Sequence, residues 1–259
     1  MTGNDLRPVL LCVGGHDPSG GAGIQADAEA AQAAGVHACC VVSCLTDQNT
    51  RGIVRLRPQP PEMVAEQCRL ILADSRIGAL KIGLLGDSRV IRVLCGLAAE
   101  YPRLPLVLDP VLASGAGQSV GGADLVSRLR DNLLGHYCTL ATPNLPEARR
   151  LSGCEEPDDC ARWFLRTGCS WVLITGTHAP DAAVINRLYG RDGSRREWSW
   201  PRLAGVYHGS GCTLTSAIAA RLVRGLALES AVAEAQAYTW ECLRHARRTG
   251  RGQLTPNRR

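Results

Sequence analysis

Lysine is nearly missing from this sequence of 259 residues, in which Lys81 is the only one. The other basic residues are arginines, and they leave a formal net charge of +5. Any mechanism in which a lysine grips a phosphate group therefore has a single candidate. Aromatic residues make up only 4% of the chain, with one phenylalanine, so the core must be built from small aliphatic side chains. Such a core suits helices packed on a sheet.

Three further absences narrow the class of protein. No apolar stretch reaches the roughly 20 residues of a membrane-spanning helix, and no signal-peptide pattern opens the sequence. No C-x-x-C pair occurs among the twelve cysteines, which argues against a structural zinc site. Because many cysteines lie inside apolar strand-like runs, we expect free, buried thiols. Free thiols and the absence of a signal peptide and of a membrane span predict a cytoplasmic protein without a membrane partner.

Arginines are concentrated near the C-terminus of the sequence. They are Arg244, Arg247, Arg248, Arg251, Arg258 and Arg259. No aromatic residues alternate with them and no nucleic-acid-binding motif accompanies them, so we predict no nucleic-acid partner. We predict instead a single domain over residues 1–259, with flexible tails at residues 1–8 and about 250–259.

Apolar strand-like runs alternate with helical patterns throughout the sequence. This order predicts an α/β fold with a mostly parallel central sheet, helices on its faces and a late antiparallel hairpin. The predicted strands are Val9–Val13, Val36–Leu45, Leu80–Leu85, Leu106–Leu108, Cys138–Thr142 and Trp171–Thr175, with the hairpin at Ala182–Leu188 and Arg195–Trp200. Because ligands bind beyond the carboxyl ends of parallel strands, the polar, glycine-rich segments that follow these strands are predicted to line one site.

The most specific local signal is the segment His208–Thr213, which reads H-G-S-G-C-T and opens a predicted helix. Its two glycines allow close approach of a ligand, and the unpaired N–H groups of a helix start favour an anion. A thiol in that first turn, here Cys212, is predicted to have a lowered pKa. A glycine-rich turn with a capping serine and a buried cysteine would explain the same segment, so this segment alone leaves both interpretations open.

A second glycine-rich segment, Gly14–Asp27, follows the first predicted strand. It lacks the lysine that a phosphate-binding P-loop requires. Gly21–Ala26 fits the dinucleotide pattern G-x-G-x-x-A, but Asp17-Pro18 separates it from a strand that should precede it directly. The polar residues of this segment favour a lined pocket over a surface turn. They are His16, Asp17, Ser19, Gln25 and Asp27.

Residues Gly15–Asp27 resemble the opening motif of hydroxymethylpyrimidine and phosphomethylpyrimidine kinases, which belong to the ribokinase-like superfamily and act in thiamine biosynthesis. Five further motifs of that family occur in family order over most of the chain. They are Gln48–Thr50, Lys81–Leu85, Leu108–Val111, Thr142–Ala148 and His208–Leu214. One such match can arise by chance, but six in order are specific.

The resemblance implies a ribokinase-like three-layer α/β/α fold, usually dimeric, and transfer of the γ-phosphate of ATP to 4-amino-5-hydroxymethyl-2-methylpyrimidine and then to its monophosphate. It also implies Mg²⁺. By motif position, the residues around the pyrimidine would be Gly15, Asp27, Gln48, Leu84 and Val111. Those near the nucleotide and its phosphates would be Asp109, Asn144, Glu147 and Thr175, with Asn144 and Glu147 associated with the metal. Cys212 would be the catalytic base, and Gly209, Ser210 and Gly211 would complete an anion hole.

The sequence departs from the family in two places. Family members usually carry a lysine after the late strand, where this chain has Thr175–His178, and another in the segment that here is Leu112–Gly115. Both differences remove positive charge from the expected phosphate path. They motivate an alternative, a family member that binds the pyrimidine with little kinase activity. Pyridoxal kinase is a second alternative, because related folds phosphorylate that ring.

Overall fold

The computed structural model describes residues 7–113, 117, 118, 120, 122–177 and 182–259. The strands in this part of the chain are β1 (Val9–His16), β2 (His37–Asn49), β3 (Gly52–Pro58), β4 (Ile77–Ile82), β5 (Leu106–Leu108), β6 (Leu140–Ala141), β7 (Trp171–Ile174), β8 (Ala183–Gly190) and β9 (Arg195–Pro201). They form one sheet in the order β3-β2-β1-β4-β5-β6-β7-β8-β9. The pairings from β2 to β7 are parallel, whereas β3, β8 and β9 run antiparallel to their neighbours.

Helices cover both faces of this sheet. They are α1 (Gly23–Ala33), α2 (Pro61–Asp74), α3 (Arg89–Glu100), α4 (Ala123–Arg128), α5 (Leu134–His136), α6 (Leu145–Ser152), α7 (Pro157–Thr167), α8 (Ser210–Val223) and α9 (Leu228–Arg244), with a π-helical segment at Leu129–Leu133. Because alternate residues of a strand face opposite sides, β1 contributes to two cores. Leu10 and Cys12 pack with α1, α8 and α9, while Leu11 and Val13 pack with the helices of the other face.

The α/β fold, the mostly parallel sheet and the late hairpin are confirmed. All twelve cysteines are free thiols and most are buried, as predicted. No helix among the described residues is long and apolar enough to cross a membrane. One strand prediction is misplaced: the strand is β4, not Leu80–Leu85, because its pairing with β1 begins at Ile77 and its last pair is Val13 with Ile82.

The sequence analysis missed β3, α7 and the helical segments between Ala123 and His136. Strand β3 alternates Val54 and Leu56 with Arg55 and Arg57, but this alternation spans only four residues and none of them is buried, so the signal is weak. It forms because β2 extends to Asn49 and turns back on itself. Helix α7 begins with Pro157 at its first position and buries only Cys160, Ala161 and Phe164. Three buried residues form only a narrow apolar stripe, which gives the sequence weak helical periodicity.

The prediction of a flexible tail at about 250–259 is wrong. The Gln253 N–H donates to the carbonyl of Thr50 at 2.8 Å, and the Asn257 N–H donates to the carbonyl of Cys242 at 2.9 Å. The Arg258 side chain is completely buried. The segment is polar in sequence, but its backbone groups are paired by distant parts of the chain, which composition does not reveal. Of the predicted N-terminal tail, residues 1–6 lie outside the described residues.

Candidate active site

A cavity of about 840 Å³ opens at the carboxyl ends of the parallel strands. Ser19 and Gln25 of the second glycine-rich segment do not line it, but every residue that the family resemblance assigns to the site does. These residues are Gly15, Asp27, Gln48, Leu84, Asp109, Val111, Asn144, Glu147, Thr175, Gly209, Ser210, Gly211 and Cys212. They come from the ends of six different strands, from the segments that follow these strands, or from the start of α8, and the sheet brings them together.

The N-terminus of α8 forms one wall of the cavity. Gly209 precedes the helix in the left-handed conformation, with φ +78, and no side chain caps the first turn. A Cβ at Gly209 would lie 2.0 Å from the carbonyl oxygen of Gly21, so only glycine allows these two segments to meet. The first N–H groups of a helix have no intrahelical partner, so the amides of Ser210, Gly211 and Cys212 are suited to an anion.

Cys212 does not have the lowered pKa that the sequence predicts. Burial raises the pKa of its thiol to about 12, and the neighbouring carboxylates of Asp109 and Asp27 act in the same direction. The Lys81 ammonium lowers the pKa but does not outweigh them. The helix start is thus opposed by desolvation and by two negative charges, and the thiol is protonated at neutral pH. Asp109 lies within hydrogen-bonding reach of this thiol.

Lys81 does not serve as a phosphate ligand, because its ammonium group forms a buried ion pair with Asp27. Its Nζ donates to both carboxylate oxygens of Asp27, at 2.8 and 2.9 Å, and the Ser216 hydroxyl donates to Oδ1 at 2.7 Å. Lys81 is only 1% exposed and Asp27 is fully buried. A carboxylate offers about four lone-pair positions, so Asp27 Oδ2 keeps one for a ligand.

Gln48 belongs to a polar network that the sequence did not reveal. Its amide nitrogen lies 2.8 Å from Nε2 of His208, which in turn lies 2.7 Å from Oδ2 of Asp17. Burial disfavours the Asp17 carboxylate, but hydrogen bonds from His208 and Ser19 outweigh this and hold its pKa at about 2. An ionised Asp17 requires a proton on Nε2, so the amide oxygen of Gln48 must face the histidine and its NH₂ must turn away.

Asn144 and Glu147 open α6 with a reciprocal cap. The Glu147 N–H donates to Asn144 Oδ1 at 2.9 Å, and the Asn144 N–H donates to Glu147 Oε2 at 3.0 Å. Burial, together with the nearby Asp109, raises the pKa of Glu147 to about 8. Burial likewise raises the pKa of Asp109 to about 6, although Lys81 opposes it.

The negative charges of Asp109 and Glu147 are only partly balanced by nearby positive groups. A divalent cation would balance them. Among the described residues, no group of three or more His, Cys, Asp or Glu side chains could hold a metal. Mg²⁺ does not need such a cage, because it commonly binds one or two carboxylates together with waters and substrate phosphates. Asp109 and Glu147, with the Asn144 amide nearby, therefore fit a magnesium ion that arrives with phosphate groups.

Two arginines that line the cavity contact the two segments that lack the family lysines. Arg150 Nη1 donates to the carbonyl of Leu112 at 3.3 Å, one turn along α6 from Glu147. Arg202 Nη1 donates to the carbonyl of Thr177 at 2.8 Å. Both side chains line the cavity. Residues Ser114, Gly115 and His178 of the two departing segments lie outside the described residues.

The far end of the cavity is aromatic and apolar. Trp200 and Trp240 stack with their ring centroids 6.2 Å apart, and both are partly exposed. Leu203 and Leu243 continue this wall, and the buried Gln236 accepts a hydrogen bond from Trp200 Nε1 at 3.2 Å. Flat apolar walls with a few polar groups suit a planar ring.

The cavity thus combines a site for a ring, a strip of arginines and carboxylates, and a glycine-rich helix start. Such an arrangement, at the carboxyl edge of a parallel sheet, is typical of small-molecule kinases, in which catalysis rests on positioning and charge neutralisation. The chain belongs to the phosphomethylpyrimidine kinase family, whose sequence profile matches residues 17–257. The family predicted from the motifs is therefore confirmed.

Individual relatives agree with this assignment. A Mycobacterium tuberculosis protein named hydroxymethylpyrimidine/phosphomethylpyrimidine kinase is 38% identical over 257 residues, covering 95% of this chain and 91% of the relative. The crystal structure of phosphomethylpyrimidine kinase from Clostridium difficile superposes with a TM-score of 0.79 at 29% identity, covering 92% of this chain and 100% of the other. The chain spans about half the length of two bifunctional relatives from thiamine biosynthesis.

The same fold is found in a pyridoxal kinase. Bacillus subtilis pyridoxal kinase, in an ADP complex, superposes with a TM-score of 0.88 at 24% identity, covering 98% of each chain. This likeness confirms the predicted ribokinase-like fold.

Proposed function

We propose that the protein phosphorylates 4-amino-5-hydroxymethyl-2-methylpyrimidine and its monophosphate with ATP, in thiamine biosynthesis. One observation carries the proposal: the residues that the family resemblance assigns to the pyrimidine, the phosphates and the base all line a single cavity. The name of the M. tuberculosis relative, which matches over nearly its whole length, supports the same activity.

In this proposal the pyrimidine lies against β1 and the loop after β4. Gly15 keeps this wall uncrowded, because a Cβ there would lie 3.1 Å from both Cys44 and Leu84 and would push against the side chain proposed to cover the ring. Asp27 Oδ2 accepts from the exocyclic amino group. The NH₂ of Gln48, turned from His208, donates to a ring nitrogen. Leu84 and Val111 cover the two faces of the ring.

Replacing Gln48 with alanine is expected to weaken pyrimidine binding by about 1–3 kcal/mol, because the ring nitrogen would lose its donor in a partly dry site. Isothermal titration with the pyrimidine measures this change. Gln32→Ala, an exposed substitution on α1, is the matched control and should bind as the unchanged protein does. Equal affinities of the Gln48 and Gln32 variants would remove Gln48 from the site.

For the transfer step, the amides of Ser210, Gly211 and Cys212 stabilise the charge that develops on the moving phosphoryl group. The thiolate form of Cys212 accepts the proton of the substrate hydroxyl. Because this thiol is itself protonated at neutral pH, it must first release its proton to water, and the nearby Lys81 ammonium favours that loss. ATP, bound with Mg²⁺, would supply the phosphoryl group, and Asp109 and Glu147 would hold the metal.

In this proposal the base of the nucleotide lies against Trp200, Trp240 and Leu243, and its phosphates point toward Thr175 and α8. We infer that Arg150 and Arg202 supply the charge that lysines supply in typical family members. Each is anchored on a carbonyl of a segment that lacks the family lysine. A guanidinium can also hold phosphate oxygens with two parallel hydrogen bonds.

Arg202→Met is expected to raise the dissociation constant of ATP–Mg²⁺ by about 10-fold, because a charge-assisted contact to phosphate is lost. Arg224→Met removes the same charge from an exposed site at the end of α8 and is the control. Adding Thr175→Lys to the Arg202 variant should restore ATP affinity, because Thr175 lines the same stretch of the cavity. If Arg202→Met and Arg224→Met bind ATP equally, the arginine does not serve the phosphates.

A product assay that separates the mono- and diphosphates, run beside pyridoxal, tests the function itself. Formation of the pyrimidine diphosphate supports the proposal, and faster phosphorylation of pyridoxal would favour pyridoxal kinase. Stabilisation by the pyrimidine without any product would favour the binding-protein alternative. A homodimer and a cytoplasmic location remain predictions.

A further inference from the structure

Arg258, next to the last residue of the sequence, reaches the back of the glycine-rich wall. Its side chain is completely buried. Nη2 donates to the carbonyl of Gly21 at 2.5 Å, Nη1 points at the carbonyl of Gly20 at 3.5 Å, and Nε donates to the Thr213 hydroxyl at 2.8 Å. Glu29, which is partly exposed, balances the charge at 3.0 Å from Nη1.

These contacts join two segments that must meet at the anion hole. Gly20 and Gly21 belong to the loop after β1, and Thr213 lies in the first turn of α8. The Thr213 hydroxyl in turn donates to the carbonyl of Gly209 at 2.7 Å. A Cβ at Gly209 would lie 2.0 Å from Gly21 and 2.9 Å from Arg258 Nη2, so the guanidinium sits directly behind the point where the two segments touch.

The chain that carries Arg258 is itself anchored. The Tyr238 hydroxyl donates to the Arg258 carbonyl at 2.9 Å, and the His208 N–H donates to the Leu254 carbonyl at 2.9 Å. The guanidinium is therefore presented from a fixed backbone. A buried charge is costly unless it is paired and hydrogen-bonded, and here its partners belong to the site's framework.

We propose that Arg258 is a positioning residue, which holds the Gly20–Gly21 loop against the first turn of α8 and so sets the geometry of the anion hole. Arg258 does not line the cavity and touches no reacting atom. It also lies one residue beyond the segment that the family profile matches. The catalytic part of this inference rests on the proposed kinase activity, whereas the structural part does not.

The test compares Arg258→Met with Arg259→Met, which removes the same charge from the exposed neighbouring residue. We expect Arg258→Met to lower kcat by about 10- to 100-fold, with the affinity for the pyrimidine within about twofold, because a displaced anion hole affects the transferred group most. Arg258→Lys should recover only part of kcat, since one ammonium cannot span both glycine carbonyls and Thr213.

Hydrogen exchange supplies a readout that needs no activity. The amides of Gly20 and Ala22 donate to Asp17, and that of Thr213 donates to Gly209. In Arg258→Met these amides should exchange roughly 10-fold faster or more, while amides of the central strands keep their protection. If Arg258→Met proves unfolded, the same exchange measurement on Arg258→Lys decides the question.

Unchanged exchange at these amides, or a kcat equal to that of Arg259→Met, would overturn the proposal. If the unchanged protein phosphorylates neither ring, the kinase proposal fails, yet faster local exchange in the Arg258 variants would still show that the residue positions the two segments.

Discussion

Cys212→Ser is expected to lower kcat by about 10²- to 10⁴-fold while the affinity for the pyrimidine changes little, which is the range that general-base catalysis supplies. A serine hydroxyl is a much weaker acid than a thiol. Burial and two nearby carboxylates, which raise the pKa of the thiol to about 12, would disfavour an alkoxide still more. Single-turnover phosphorylation and a separate titration of the pyrimidine measure the two quantities.

Cys212→Asp is the informative companion variant. By motif position, Cys212 takes the place of the aspartate base implied for the sugar-kinase relatives, and a carboxylate needs no prior loss of a proton. We therefore expect Cys212→Asp to retain more turnover than Cys212→Ser. Turnover of Cys212→Ser within twofold of the unchanged protein would show that Cys212 is structural and that another group takes the proton.

Lys81→Met is expected to reduce the free energy of unfolding by about 3–5 kcal/mol, as is typical when one partner of a buried ion pair is removed. The variant leaves the Asp27 carboxylate fully buried with only the Ser216 hydroxyl as a hydrogen-bond donor. Pyrimidine binding should weaken too, because Asp27 forms part of the proposed ring site. Urea unfolding followed by circular dichroism gives the first quantity.

The double variant Lys81→Met, Asp27→Leu distinguishes the contribution of the ion pair to stability from that of the packing around it. Replacing both charges with apolar side chains removes the uncompensated carboxylate, so much of the lost stability should return. Arg89→Met, which breaks an exposed ion pair with Asp87, should have a far smaller effect and serves as the control. A double variant no more stable than Lys81→Met would mean that packing around the lysine stem, rather than its charge, stabilises this region.

Much of the site could be predicted because its residues stand in short contiguous segments. The alternation of strands and helices predicts a parallel sheet, and a parallel sheet gathers the residues after its strands at one edge. Gln48, Asp109 and Asn144 could be assigned to one cavity for that reason. The glycines before Cys212 likewise predict a helix start that a ligand can approach, since their effect on the backbone is local.

What the segments could not reveal was the electrostatic state of their side chains. The helix start predicts a lowered pKa for Cys212, but the pKa follows burial and the carboxylates that the fold places beside it. Lys81 is a phosphate candidate by elimination, yet its partner Asp27 is 54 residues away in the chain. Arg258 resembles part of a charged tail, although its carbonyl partner Gly21 is separated from it by 237 residues.

The sequence by itself determined the family, the order of strands and helices, and which short segments face the ligand, because periodicity and motif spacing depend on near neighbours along the chain. Only the tertiary structure decided which charges are paired, whether the Cys212 thiol keeps its proton, and which arginines contact the segments that lack the family lysines. Those properties depend on desolvation and on contacts between residues far apart in sequence, and both exist only once the chain has folded.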